Sequence, residues 1–482
     1  MNVITIKKVT LINSKNKIFF LVLVLSCLLS NQALPQCGIS NGLPVLEFNT
    51  QSDLNEFESS SNSDSLMFNL WINEKPELED TIIEISSLNM ITYIGGTFCV
   101  INSEKIKDFN QLNNLVKIEG PIKLQYNKSL ESLQGFENLS YVGSDISISD
   151  NEIFSSFSGT ENIDTINGSL QISDCKKLKI IDGFDNLMSL ERIDINRCDS
   201  LSQFSTFLDG INFLKSISIQ ESPLEDLNFL NEEINVTEYI DFKRLNISEI
   251  KGFNNVENLT SNLRIEDNFF LTEINAFHNL TTVENLFLGR AFEVTIAPQS
   301  FSKLDSVFRS LTIRNIQLND LDFFNSLEYV GFNLNVQNSG LIANLDIFEN
   351  IATKPEDVII ENNESLDDCS AICDRIRLGL HTTLDNNPGC NTLQELLEIC
   401  GPSSSASIYL RNTIVFPNPV EDFLHIQNKR LNTSVAIYNL SGKKVINAKN
   451  TEIIDVSSLV SGIYIIVIND GERQLIQKIH KI

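Results

Sequence analysis

Eleven times the sequence returns to one short phrase, an apolar residue, any residue and a second apolar residue, at a spacing of about 23 to 24 positions. The pairs are Ile122/Leu124, Ile146/Ile148, Leu170/Ile172, Ile193/Ile195, Ile217/Ile219, Ile240/Phe242, Leu263/Ile265, Leu286/Leu288, Leu311/Ile313, Leu334/Val336 and Val358/Ile360. In a chain that is 42% hydrophobic, chance would fill all these positions with odds on the order of 10⁻⁸. Side chains of a strand alternate between its two faces, so each phrase sends two side chains inward and one outward. A unit this short cannot bury its own apolar face and must stack on copies of itself. Neighbouring parallel strands would lie about 4.8 Å apart, and eleven coils would stack to roughly 50 Å.

Further positions keep the same period. Leu130, Phe154, Leu178, Leu201, Leu224, Ile247, Leu271, Val294, Leu318, Leu341 and Leu366 follow the strand after a turn and are expected to close the interior. Segments such as Gly135-Phe136-Glu137-Asn138-Leu139 and Gly183-Phe184-Asp185-Asn186-Leu187 suit a corner, glycine allowing the sharp bend and phenylalanine plugging the core below it. These aromatics read as core, not as a ligand cage.

The phrase and its corner resemble the bacterial leucine-rich-like receptor L-domain family, whose units read L-x-I-x-x-N-x-x-L-x-x-I-x-G-F-x-N-L-x-x-V, over roughly residues 90–366. With the period, the resemblance implies an all-β, right-handed parallel β-solenoid of the leucine-rich-repeat kind, about eleven coils long. Asn127, Asn151, Asn268 and Asn363 stand at the turn after the strand, where an asparagine ladder would satisfy turn backbone groups. Cys175 and Cys198 take that position one repeat apart, which would bring their Cα atoms to about 5 Å, and a bridge between them is expected over two buried thiols.

Both ends need caps. Lys7, Lys8, Lys15 and Lys17 precede the apolar run 18–30, a secretory signal peptide pattern that ends near residue 33. The run is too short for a stable bilayer span, and no second long apolar stretch follows. Export leaves an even set of eight cysteines, Cys37, Cys99, Cys175, Cys198, Cys369, Cys373, Cys390 and Cys400, which favours disulfides over a zinc site. Residues 34–89 read as an N-terminal cap with a first irregular coil, a helix at 51–57 and Cys37 paired with Cys99. Residues 90–366 hold the repeats. Residues 367–400 read as a stapled C-terminal cap whose four cysteines allow three pairings, and the small polar residues of 401–412 as a linker.

From residue 413 the rhythm changes to short alternating strands separated by turns, as in a small Ig-like β-sandwich. Phe416-Pro417-Asn418-Pro419, Ile437-Tyr438-Asn439-Leu440-Ser441-Gly442-Lys443-Lys444-Val445, Asp455-Val456-Ser457-Ser458-Leu459, Gly462-Ile463-Tyr464 and Lys478-Ile479 resemble the type A C-terminal sorting domain of the type IX secretion system. The resemblance makes Pro417, Asn418, Pro419, Gly442, Lys443, Lys444, Gly462, Tyr464 and Lys478 the sorting signal and the type IX machinery its partner. It also implies removal of the tail near the linker, with cargo released or attached to lipopolysaccharide at the surface of a Gram-negative bacterium.

Chemistry is hard to place on the rest. The four histidines, His278, His381, His425 and His480, are dispersed, and no nucleophile elbow, H-E-x-x-H, phosphate loop or dinucleotide fingerprint occurs. The outward rows of the strands offer a polar face on which Asp241, Lys243, Arg264, Glu266, Phe287 and Arg314 form a mixed cluster with one exposed aromatic. Residues 34–400 carry 23 basic against 57 acidic side chains, which disfavours nucleic acid and other anionic polymers. The expectation is a monomeric, non-catalytic recognition or adhesion protein that takes protein or glycan on this face and needs no cofactor or metal. The alternative is an exported polysaccharide-degrading enzyme using a carboxylate pair on the solenoid.

Overall fold

Alternating apolar side chains close into a parallel β-solenoid of about 13 turns, with antiparallel sheets near the C-terminus. The computed structural model describes Cys37 and residues 42–60, 64–205, 208, 210–230, 233–351, 355–373, 381–385, 387–400, 414–417, 419–427, 434–439, 443–449, 451–469 and 474–482. The expected signal peptide and the linker lie outside these, as do Asn418 and Gly442. Two units divide the chain, Met1–Val307 with Phe323–Ser326, and Phe308–Asp322 with Leu327–Ile482.

In the first unit the strands Val45–Phe48, Asn69–Asn73, Phe98–Ile101, Ile122–Gln125, Ile146–Ser149, Ser169–Ser173, Arg192–Asn196, Phe213–Gln220, Asn235–Lys243, Asn258–Glu266 and Thr282–Glu293 pair in that order. All these pairings are parallel. Ile122 faces Ile146, Leu170 faces Ile193, and Leu263 faces Leu286, which is the register read from the period. Three coils therefore precede the first phrase of the sequence. A second face holds the short strands Ser65–Leu66, Tyr93–Ile94, Lys117–Ile118, Tyr141–Val142 and Thr165–Ile166, again parallel. A third carries Glu249–Gly252, Glu273–Ala276 and Thr295–Ile296.

The main strand ends in a residue forced into the left-handed region, among them Asn102, Tyr126, Asp150, Asp174, Arg197, Glu221, Arg244, Asp267 and Arg290, with φ between 49° and 60°. Each costs about 1 kcal/mol or more for an L-residue. The buried ladder that follows holds the turn in place. Asn127 N–H donates to Asn151 Oδ1 at 2.9 Å, and Asn151 Nδ2 donates to the carbonyls of Leu124 and Ser149, both at 2.9 Å. Asn268 repeats the pattern, accepting from Leu245 N–H and donating to Phe242 O, each at 2.9 Å.

The left-handed row also carries charge of alternating sign. Arg197 Nε and Nη2 donate to Asp174 at 2.9 and 2.7 Å, Arg244 reaches Glu221 at 2.5 Å and Asp267 at 3.6 Å, and Arg290 reaches Asp267 at 3.2 Å. A slip of one coil against its neighbour would set like charges side by side, so the row reinforces register.

Cys175 and Cys198 correct the sequence reading. Both are buried free thiols, one coil apart on the ladder. Cys175 Sγ points to the carbonyls of Ser173 at 3.5 Å and Ile148 at 3.9 Å, where the Asn151 amide finds Ser149 and Leu124 one coil earlier. Cys198 Sγ likewise faces Asn196 O at 3.7 Å. Ladder side chains run parallel, each toward carbonyls at its own turn, and a bridge needs the two Cβ vectors to converge.

Phenylalanines stack coil on coil beneath the corners. Phe109 and Phe136 lie 4.9 Å apart with rings 3° from parallel, and Phe253, Phe277 and Phe301 continue at 5.1 and 5.5 Å. All are fully buried or nearly so, and each contributes roughly 1.5–3 kcal/mol by burial. A Cβ on Gly135, at φ 107°, would lie 1.7 Å from Phe109 O, so the corner admits only glycine.

The helix Gln51–Ser60 covers the first coils, and Cys37–Cys99 is a disulfide. Cys99 faces outward from the main sheet, so this bridge seats Cys37 on the outer face beside Trp71, where Lys123 Nζ donates to Cys37 O at 3.0 Å.

In the second unit the strand Ser306–Gln317, which enters it at Phe308, pairs with Asn333–Gln337, then Asp357–Glu361 and His381–Asp385, all parallel. Leu341 is exposed, and the inward place three residues after ladder Ser339 belongs to Ile342. The ladder continues through Asn363 to Asn387, so the segment 381–390 completes another coil within the expected cap. Among the three pairings, the structure adopts Cys369–Cys390 and Cys373–Cys400. The helix Leu393–Ile399 follows, opened by a capping box between Thr392 and Glu395.

Residues 414–482 form two antiparallel sheets, Ile414–Phe416 with Phe423–Gln427 and Ile453–Asp455, and Lys444–Lys449, Ser434–Asn439, Gly462–Asn469 and Gln474–Lys481. Val435, Ile437, Ile466 and Ile468 meet Leu424, Ile426 and Ile454 in the core between them.

Candidate functional site

Strand pairing decides which outward side chains become neighbours. Asp194, Ser218, Asp241, Arg264 and Phe287 form one row, each directly opposite the next. Lys243, Glu266 and Gly289 form the row beside it. The structure therefore brings together Asp241, Lys243, Arg264, Glu266 and Phe287. Arg314 belongs to the second unit, where it stands opposite Gln337.

The cluster is less open than a flat polar sheet. Ser218 and Glu266 are buried, while Asp241, Lys243, Arg264 and Phe287 are half-buried. The Arg264 guanidinium carbon sits 4.9 Å from the Phe287 ring centre, and its Nε lies 3.6 Å from Glu266 Oε2 without a hydrogen bond of its own. Gln220 Nε2 donates to Asp241 Oδ2 at 3.2 Å and to Ser218 Oγ at 3.0 Å. Asp241 Oδ1 is enclosed and has no partner. Burial pushes the Asp241 carboxyl up to about 6, against the pull of Arg264 and Lys243. Burial raises Asp194 in the same row as well. The face thus offers a cation over an aromatic ring beside a carboxyl that burial holds above the usual carboxylate range.

Sequence reading missed the brace from Gln220, although its place in the next outward row, one coil before Lys243, was available. Among the described residues no group of three or more His, Cys, Asp or Glu could hold a metal ion, and no helix is long and apolar enough to cross a membrane.

The C-terminal module sorts its signal residues into two kinds. Tyr464 is a packing residue, 9% exposed, its hydroxyl donating to Val460 O at 2.9 Å. Pro417, Pro419, Lys443, Lys444 and Lys478 are exposed. Asn439 closes the turn at which the lysines stand, its Oδ1 accepting from Lys443 N–H at 2.9 Å while its N–H donates to Lys443 O at 3.0 Å. Lys444 Nζ lies 5.6 Å from the Tyr438 ring centre. Gly462 opens the longest strand pairing of the module. Residues 414–481 match the family described as secretion system C-terminal sorting domain. The tail is a type IX sorting domain. A chain that carries this sorting domain is cargo of the type IX export route, bound for the outer surface or the medium. Comparison with curated proteins finds none that matches.

Proposed function

We propose that the protein is a recognition or adhesion module, a receptor L-domain-like solenoid that type IX export delivers to the cell exterior, binding a protein or glycan through its main sheet face. Asp241 Oδ1 and Arg264 Nε carry this reading. They are polar atoms on neighbouring outward positions, enclosed yet without hydrogen-bond partners, and a ligand would supply what the fold leaves out. The reading has a monomeric, leader-processed chain with no cofactor, and no nucleic acid as ligand. The chain without its leader, applied to glycan and surface-protein arrays, is expected to retain at least one ligand, and Arg264→Ala to weaken that retention about tenfold or more. Silence on both arrays removes the proposal.

One observation favours a second reading. Asp241 and Asp194 share a row two coils apart, both raised by burial, as a proton-donating carboxyl of a polysaccharide hydrolase would be. Release of reducing ends from a polysaccharide, abolished by Asp241→Asn, would establish the enzyme in place of the receptor.

A further inference from the structure

The coils of the first unit keep strict time until one of them shortens. Tyr93, Lys117, Tyr141, Thr165, Ser189 and Phe213 follow one another at 24 residues, whereas Asn235, opposite Phe213 in the main sheet, comes 22 residues after it and Asn258 23 after that. The missing residues are absorbed by shifts of strand register, between Leu214 and Ser216 and again between Leu259 and Asn262. Beside the short coil the surface holds a concavity of about 600 Å³. That volume is within the range of small-ligand sites.

Its lining has one chemical character. Asn235, Thr237, Asn254 and Asn258 supply amides and a hydroxyl, and Glu233 and Glu257 supply carboxylates. Neighbouring corner asparagines are already committed, as Asn255 Nδ2 donates to Glu233 O and Asn279 Nδ2 to Asn254 O, both at 2.7 Å. Asn254 and Asn258 each keep a polar atom unmatched. Asn254 Oδ1 is enclosed and unpartnered. Asn258 Oδ1 accepts from Thr281 at 3.0 Å and Thr282 at 2.7 Å, which aims its Nδ2 as a free donor. Phe213, directly opposite Asn235 in the sheet, is 50% exposed on the flank of the concavity.

We propose that this cleft is a binding site for a neutral glycan. The inference rests on the recognition reading of the solenoid but places a site at the opposite end of these strands from the Asp241 cluster. An amide presents donor and acceptor in one plane, and adjacent sugar hydroxyls are each donor and acceptor, so a row of amides matches a row of hydroxyls. Among the described residues no cation lines the cleft, and its two carboxylates repel acidic polymers. A protein partner would need apolar floor in which to bury an anchoring side chain, and amides and carboxylates provide none. The Phe213 ring provides a platform for the apolar face of a sugar at the cleft edge.

The test uses the full chain without its leader, run on affinity gels containing neutral polysaccharides (mannan, xylan, laminarin, soluble chitin) or acidic ones (alginate, polygalacturonate). Retardation by at least one neutral polymer is expected, little changed by added salt. Asn235→Ala and Phe213→Ala, neither a core residue, are each expected to weaken it about fivefold or more, and Asn254→Leu about tenfold, with unchanged far-ultraviolet circular dichroism. Arg264→Ala on the main sheet should leave it within about twofold. Loss through Arg264→Ala with the cleft variants unaffected overturns the cleft and leaves the recognition reading standing. Retardation by acidic polymers only, or by no polymer, overturns the cleft, and capture of a protein ligand in that case keeps the recognition reading alive on its own.

Discussion

Asn151 and Asn138 both reach back to the preceding coil, but one does so in a dry interior and the other in water, and the difference sets the energetics of the ladder. Asn151 is fully buried, accepts from Asn127 N–H and donates to Leu124 O and Ser149 O. Asn151→Ala removes these three hydrogen bonds and leaves the Asn127 N–H unmatched inside the solenoid. An unmatched buried donor costs about 1–3 kcal/mol and each lost bond about 1 kcal/mol, so after partial relaxation the expected loss is about 3 kcal/mol. Asn138 Nδ2 donates to Asn113 O at 2.7 Å from an exposed position, where water replaces it. Asn138→Ala is therefore expected to cost at most about 1 kcal/mol. Urea unfolding followed by circular dichroism and by the fluorescence of the single tryptophan, Trp71, measures both losses. Coils of a solenoid unfold semi-independently, so amide hydrogen exchange at Asn127 supplies the local reading and should accelerate in Asn151→Ala alone. Equal losses in the two variants, within about 0.5 kcal/mol, or unchanged protection at Asn127, would refute the account of a load carried by buried amides.

Burial raises the Cys198 thiol to about 11 and Cys175 further still. Both should resist iodoacetamide at pH 8 in the native protein and react on unfolding, and native labelling or a mass lacking two hydrogens would contradict free buried thiols. Asp241 titrates near 6 when folded against about 3.9 when unfolded, so ionisation destabilises the fold. The destabilisation is absent below about pH 4, builds as pH rises from 4 to 6, and is complete above it. Asp241→Asn should then stabilise the protein at pH 7.5 by on the order of 1–2 kcal/mol and flatten the loss of stability between pH 4 and 7, and a destabilised variant at pH 7.5 would show that Arg264 and Lys243 outweigh burial. Deletion of residues 414–482 should strand the protein in the periplasm, while charge reversal at the exposed Lys443 and Lys444 should impair export of a tail that still folds. Normal export of the truncated chain would dissociate the sorting domain from its route.

The main sheet was legible because two inward side chains per coil repeat in every strand, and the observed register from Ile122 to Leu286 is the one the period gives. The two-residue strands of the second face, Tyr93–Ile94 or Lys117–Ile118, are too short to show alternation. Cys175 and Cys198 were placed on the correct row, but distance along a stack says nothing of where a side chain points, and there the amide geometry of the ladder decides. The outward row is covered at its start, because the Cys37–Cys99 bridge sets Cys37 over Trp71 and Cys99. The alternation Asp174, Arg197, Glu221, Arg244, Asp267, Arg290 was present in the sequence all along, at a spacing of 23 to 24, one residue before the ladder.

A stack of near-identical coils also supplies its own reference state, and this bears on where function can reside. At a position where most coils carry whatever keeps the solenoid closed, a side chain that repeats is explained by stacking. The buried phenylalanines and the corner asparagines are of this kind, each bonded to the coil before it. What stacking leaves unexplained is a break in the period with unmatched polar atoms beside it. Asp241 and Arg264 meet the second condition, on strands whose neighbours are lengthened. Asn254 meets both, beside the short coil. Shortening a coil breaks the strand register and leaves an amide without its partner, irregularities that stability alone gives no reason to retain, and so the irregular coils are where a ligand's contribution belongs.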